Sequence, residues 1–197
     1  MPAILPHRVA DLDAHLQDHL RNLGGWAPTQ LRRAAVLCPI VDLDGLDHLL
    51  LGLRPQSSHA HAGQVAFPGG KVEGDERPVE TAIRECDEEV GMPPDYVAPL
   101  GELAPRVSSS QFHVHCVVAR VQPFQLRLAP AEVDRALFVP LAQLRESWRW
   151  RELPAPSEPG DAPHATSPHF FFGEDLIWGL TGRFIRDLVE ILEHGRV

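Results

Sequence analysis

The apolar positions of this chain recur with two different periods. Between Val9 and Leu23, Leu12, Leu16 and Leu20 fall one helical turn apart, and Gly24-Gly25 closes the segment, so the spacing predicts a helix over 9–23. "RRAAVLCPIV" (32–41) is a continuous apolar run of strand length, and "DLDG" followed by "LDHLLLGLRP" (46–55) reads as a turn and its hairpin partner. "QSSHAHAGQ" is loop, and "VAFPGG" is a short strand running into a glycine turn. "LGELAPRV" and "FHVHCVVARV" are strands, the second with Phe112, Val114 and Cys116 alternating against His113 and His115. "EVDRALFVPLAQL" reads as loop, strand and short helix, and the Pro-, Ser- and acid-rich stretch Arg151–Ser167 as an exposed loop. "HFFF" is a further strand, and 175–194 is a C-terminal helix stopped by Gly195. Strands in hairpins interleaved with helices predict an α/β chain: one domain over 1–197, built as an α/β/α sandwich on a mixed β-sheet.

One more helical segment, "PVETAIRECDEEV" (78–90), has Pro78 in its first turn, Gly91 just past its end and Pro93-Pro94 beyond. Val79, Ala82, Ile83, Cys86 and Val90 form one apolar stripe. Glu85, Glu88 and Glu89 lie beside it, within about 100° of one another, and Arg84 flanks Glu88 on the far side. Glu85 and Glu89 are a like-charge pair one turn apart, which costs a few tenths of a kcal/mol in an isolated helix. Glu88 and Glu89 also sit at the end of the helix where the macrodipole disfavours anions. A solvated acidic face is one reading. The other is a divalent cation, Mg²⁺ or Mn²⁺, held by converging hard oxygen ligands.

Charge sharpens that choice. The formal net charge of −9 argues against broad nucleic-acid binding, which needs Lys and Arg to neutralise phosphates. A bound cation would let so acidic a protein handle a small phosphorylated substrate. No apolar run approaches the roughly 20 residues of a membrane span, and the first residues lack a basic, then apolar, leader pattern, so a cytoplasmic protein without a membrane partner is expected. The sequence leaves a homodimer open. Cys38, Cys86 and Cys116, with no C-x-x-C, are expected to be buried thiols.

The acidic helix and the loop before it resemble the Nudix box, G-x5-E-x7-R-E-U-x-E-E-x-G-U with U a bulky apolar residue. Gly70, Glu76, Arg84, Glu85, Cys86, Glu88, Glu89, Gly91 and Met92 occupy its positions, Cys86 being small for its slot. The resemblance implies a Nudix fold with the box over 70–92, and hydrolysis of a nucleoside diphosphate linked to another group. It implies Glu85, Glu88, Glu89 and the Gly69 carbonyl as ligands of Mg²⁺ or Mn²⁺, and Glu76–Arg84 as a structural ion pair. Glu85 or Glu88 could serve as general base; Glu132, with Asp134 close by in sequence, is the candidate from a later loop. "LLLGLRPQSSHAHAGQVAFPGG" further resembles the signature of the coenzyme A pyrophosphatase branch, matching at Leu50, Leu51, Arg54, Gly63, Phe67, Pro68, Gly69 and Gly70. It departs at Gly52, Pro55 and His59, where the branch has Thr, Ser or Ala, and Arg. "LIWGLTGRFIRDL" is similar to a late helix of that branch. The resemblance implies substrate contacts from Arg54, His59, His61 and Phe67, with phosphate binding weaker or pH-dependent where His59 replaces arginine. "HFFF" and Trp178 are the candidates for an apolar channel holding the thiol arm.

Overall fold

The computed structural model describes residues 9–57, 62–156 and 166–195. Its centre is a seven-stranded mixed sheet. Strands β1 (Arg32–Leu43) and β2 (Leu46–Leu53) form the predicted hairpin, turning at Asp44 and Gly45, both with positive φ. β3 (Val65–Ala66) and β7 (Arg135–Pro140) pair with β2, and β4 (Gly69–Lys71) with β1. β5 (Val97–Val107) pairs antiparallel with β6 (Phe112–Val121), and β6 lies parallel to β1, the parallel contact that makes the sheet mixed.

Alternation along the strands sends side chains to opposite faces and splits the core in two. Cys38, Ile40, Leu49, Leu51, Cys116 and Val118 meet helices α1 (Val9–His19) and α4 (Gly179–His194) through Leu16, Phe184, Ile185 and Leu188. On the other face Ala35, Leu37, Leu50, Val117 and Ala119 meet Val79, Ala82, Cys86 and Val90 of α2 (Pro78–Val90). This is the predicted α/β/α sandwich, and the α2 stripe is the one expected from its periodicity. A short helix α3 (Leu141–Leu144) follows β7. All three cysteines are buried and unbridged. Among the described residues no helix is long and apolar enough to cross a membrane.

Three boundaries differ from the sequence reading, each because strand pairing overrides local pattern. The first helix stops at His19 rather than Leu23, because Arg21 joins the sheet edge through two backbone bonds to Glu102, 3.0 and 2.8 Å long. Part of the expected loop Arg151–Ser167 is strand. β8 (Trp150–Pro154) pairs with β9 (Thr166–Phe172) in a separate three-stranded sheet, while 157–165 lie outside the described residues. Residues 175–177, expected as the start of the last helix, are β10 (Asp175–Ile177), a hairpin partner of β9. Helix α4 begins only at Gly179, whose φ of 62° breaks the strand.

Candidate active site

Two charged clusters form on α2. The first is centred on Arg84. Its Nε and Nη2 grip Glu76 at 2.7 and 3.1 Å, Nη2 also donates to the Lys71 carbonyl at 3.0 Å, and Nη1 lies 3.1 Å from both Glu85 and Glu88. Glu76 accepts further bonds from the Thr81 hydroxyl (2.9 Å) and the Glu73 N–H (3.1 Å). With the Arg84 guanidinium foremost, these donors hold the Glu76 carboxyl down at about 2. The loop 71–76 is thereby tied to the helix by the expected Glu76–Arg84 pair. A residue that the sequence reading passed over adds to it: the Trp26 indole N–H donates to the Glu76 carbonyl at 2.7 Å.

The second cluster shares only Glu85 with that network, through the Arg84 contact at 3.1 Å. One carboxylate oxygen from each of Glu85, Glu89 and Glu132 lies within 4.8 Å of the others. Glu89 is only 4% exposed, and its one hydrogen bond among the described residues comes from the Gly69 N–H at 3.2 Å. Burial pushes its carboxyl up to about 8, the Gly69 bond and the Arg54 charge pulling the other way, with Glu132 and Glu85 adding to the rise. Burial also raises Glu85, against the pull of Arg84. Between an ordinary 4.5 and about 8, at about 1.4 kcal/mol per pH unit, charging Glu89 in the metal-free fold costs on the order of 5 kcal/mol. That is roughly ten times the penalty of a like-charge pair on an exposed helix. An all-carboxylate set that is partly dry, offset only by one Arg84 contact to Glu85 and the nearby charge of Arg54, matches the donor chemistry of a hard divalent ion.

Backbone geometry brings these groups together. Gly69 (φ 153°) packs so closely on Ala35 and Val36 that a side chain would strike their backbone, and at Gly70 a Cβ would collide with the Glu85 carboxylate. Gly91 (φ 70°) caps α2 in the left-handed conformation, donating to Asp87 O at 2.9 Å. Beyond β6 the chain returns along the end of α2, where the N–H groups of Arg127 and Ala129 bond the carbonyls of Val90 (3.0 Å) and Glu89 (2.9 Å). These bonds satisfy helix-end acceptors and deliver Glu132 to the cluster. Gly52, one of the departures from the coenzyme A signature, has a role here. A Cβ at that position would lie 3.2 Å from Val133, so the glycine lets the Glu132 loop sit down on β2, where the Asp134 N–H bonds Leu53 O at 2.8 Å.

Glu88 stands apart from the trio: its side chain is 56% exposed and turned to Arg84. Arg54, Phe67, Gly69 and Trp178 line a cavity of about 470 Å³ that begins beside the trio. The Nε of Arg54 is buried there without a hydrogen-bond partner among the described residues. Phe170 is core, Phe172 packs against it and Phe171 is exposed, so the "HFFF" strand supports the cavity without lining it. His59 and His61 lie outside the described residues. The remaining walls include Ser108, Ser167, Thr181 and Arg183, from elements far apart in the chain. No local pattern marks them.

The NUDIX domain pattern matches residues 31–159. The chain belongs to the Nudix family. Among its relatives, a protein of Photorhabdus laumondii described as an uncharacterized Nudix hydrolase, NudL, is 36% identical over 165 residues, covering 81% of this chain and 84% of the relative. A protein of Yersinia pestis with the same description is 39% identical over 163 residues, covering 81% and 79%. A MutT/nudix family protein from Enterococcus faecalis shares the fold at a TM-score of 0.52 and 14% identity, over 87% of this chain and 67% of that one. The Nudix hydrolase RenU from M. smegmatis does so at 0.50 and 21% identity, over 64% and 80%. As a Nudix hydrolase the protein is a pyrophosphatase acting on a nucleoside diphosphate derivative, and enzymes of this family generally use divalent metal ions.

Proposed function

We propose that the protein hydrolyses the diphosphate of coenzyme A or a derivative, releasing 4′-phosphopantetheine and adenosine 3′,5′-bisphosphate. One observation carries the reading. Three residues of the coenzyme A signature, Arg54, Phe67 and Gly69, line the cavity that begins beside Glu89. A signature motif and a space for the rest of the substrate thus meet at the acidic trio.

Glu85 and Glu89, with Glu132 and the Gly69 carbonyl, would hold Mg²⁺ or Mn²⁺. When bound, the metal supplies the positive charge that draws in the diphosphate and acidifies the attacking water. Arg54, its Nε without a partner among the described residues, binds a diphosphate oxygen and stabilises the charge that develops on the leaving phosphate. Glu132, the exposed member of the trio, takes the proton of the attacking water. Glu88, through Arg84, holds the helix face rather than the substrate. Trio and cavity walls come from a single chain, so this reading needs no second copy. The test is incubation with Mg²⁺ or Mn²⁺ and a panel of coenzyme A, ADP-ribose and a dinucleoside polyphosphate, with products identified by mass. Cleavage of coenzyme A into the two named products is expected; cleavage of ADP-ribose alone would move the substrate elsewhere.

A further inference from the structure

The cavity does not share the charge of the chain. Its described walls carry two arginines, Arg54 and Arg183, and no aspartate or glutamate, in a protein with 27 acidic residues and 18 basic ones. Arg54 belongs to the trio end, where its charge acts on Glu89. Arg183 sits in the first turns of α4, and its one hydrogen bond among the described residues runs from Nη2 to the Thr166 carbonyl at 2.6 Å. That bond anchors the guanidinium and, among the described residues, leaves most of its donors available. Around it stand the hydroxyl residues Ser167 and Thr181, the positive end of α4, and the apolar surfaces of Trp178, Leu180 and Phe184.

The proposed substrate has two unlike halves. Past the diphosphate, the pantetheine arm is neutral, and its amide and hydroxyl oxygens would offer Arg183 only uncharged acceptors, weaker partners than a phosphate. The nucleotide half combines a flat aromatic base with an extra phosphate monoester on the ribose, which matches a wall where Trp178, Leu180 and Phe184 stand beside Arg183, the hydroxyl residues Ser167 and Thr181, and a helix N-terminus. We propose that this cavity takes the nucleotide half, and that Arg183 is a specificity-determining residue that binds the ribose phosphate monoester. The proposal rests on the coenzyme A reading above and reverses the expectation that Trp178 lines a channel for the thiol arm.

Two measurements test it. In the wild-type enzyme, adenosine 3′,5′-bisphosphate should inhibit at a concentration at least about tenfold lower than 5′-AMP, the gain expected from one charge-assisted contact. Equal inhibition overturns the proposal, and this arm needs no variant to fold. In Arg183→Gln, kcat/KM should fall at least about tenfold further for coenzyme A than for 3′-dephospho-coenzyme A, mainly through KM, with Arg183→Lys recovering part of the difference. An equal loss on both substrates overturns the assignment of Arg183 while leaving the coenzyme A reading intact. A wild-type enzyme that cleaves ADP-ribose and neither form of coenzyme A overturns both.

Discussion

The middle of α2 and its C-terminal end carry the same kind of residue in opposite circumstances. Around Arg84, Glu76 is matched by donors and Glu88 by the guanidinium itself, and the carboxyl of Glu76 is pulled far below its ordinary value. One turn on, Glu89 is buried beside Glu85 and Glu132 with a single backbone N–H, and its carboxyl is driven up. The first arrangement is complete as it stands and acts as a brace. The second keeps carboxyls close and dry, so that ionising Glu89 costs several kcal/mol, a cost that a bound divalent cation would offset. On this helix the carboxylates best matched by donors brace the loop, Glu85 touches both clusters, and the least compensated carboxyl, Glu89, is where the proposed chemistry centres.

That contrast can be broken first at Glu89. Glu89→Gln should lower kcat by about a hundredfold or more, because it removes the proposed buried ligand, yet raise the thermal stability of the metal-free protein by removing a carboxyl that burial makes costly to ionise. A wild-type rate would remove Glu89 from the site; a lower metal-free Tm would show that its charge is not the burden inferred here. On the brace, Arg84→Gln should weaken Mn²⁺ binding about tenfold to a hundredfold, the range for residues that orient ligands, and should also lower Tm. Binding titrations that leave the affinity unchanged would separate the two clusters altogether.

A smaller effect is expected at Gly52. Gly52→Thr restores the residue of the coenzyme A signature but drives a side chain toward Val133. It should cut turnover severalfold by displacing Glu132, with metal binding by Glu85 and Glu89 largely retained. A faster enzyme would mean that the loop is free to adapt.

The mildest probe is pH, and the two clusters should respond with opposite sign. Glu76 titrates below the ordinary carboxylate value, so its stabilisation is complete above about pH 4.5 and is lost as pH falls toward about 2. Glu89 titrates above that value in the metal-free fold, which holds a proton that the unfolded chain releases. Metal-free stability should therefore decline as pH rises from about 4.5 through about 8, and divalent metal should flatten that decline by competing with the proton. A metal-free Tm that stays level across pH 5 to 9 would contradict the burial of an unpaired carboxylate at Glu89.

Local periodicity and the order of elements were enough for the sandwich, the β1–β2 hairpin and the apolar stripe of α2, and the resemblance to the Nudix box supplied the Glu76–Arg84 pair. The spacing of the glutamates also announced an acidic cluster at the end of α2. It could not tell which carboxylates converge. Helical geometry treats Glu85, Glu88 and Glu89 alike, and only the packing of the 127–134 segment onto the carbonyls of Glu89 and Val90 puts Glu132 in the trio and leaves Glu88 to Arg84. The same holds for the cavity: Arg54, Gly69, Ser108 and Arg183 become neighbours through sheet pairing and helix docking across more than a hundred residues, a distance at which no sequence period acts. What the sequence determined by itself was most of the elements of the main sheet and its helices, and the chemistry on each face, but not β8 and β10 of the small sheet. Which of those groups face one another was decided by the tertiary fold, because long-range strand order and backbone bonds at the helix end set their positions.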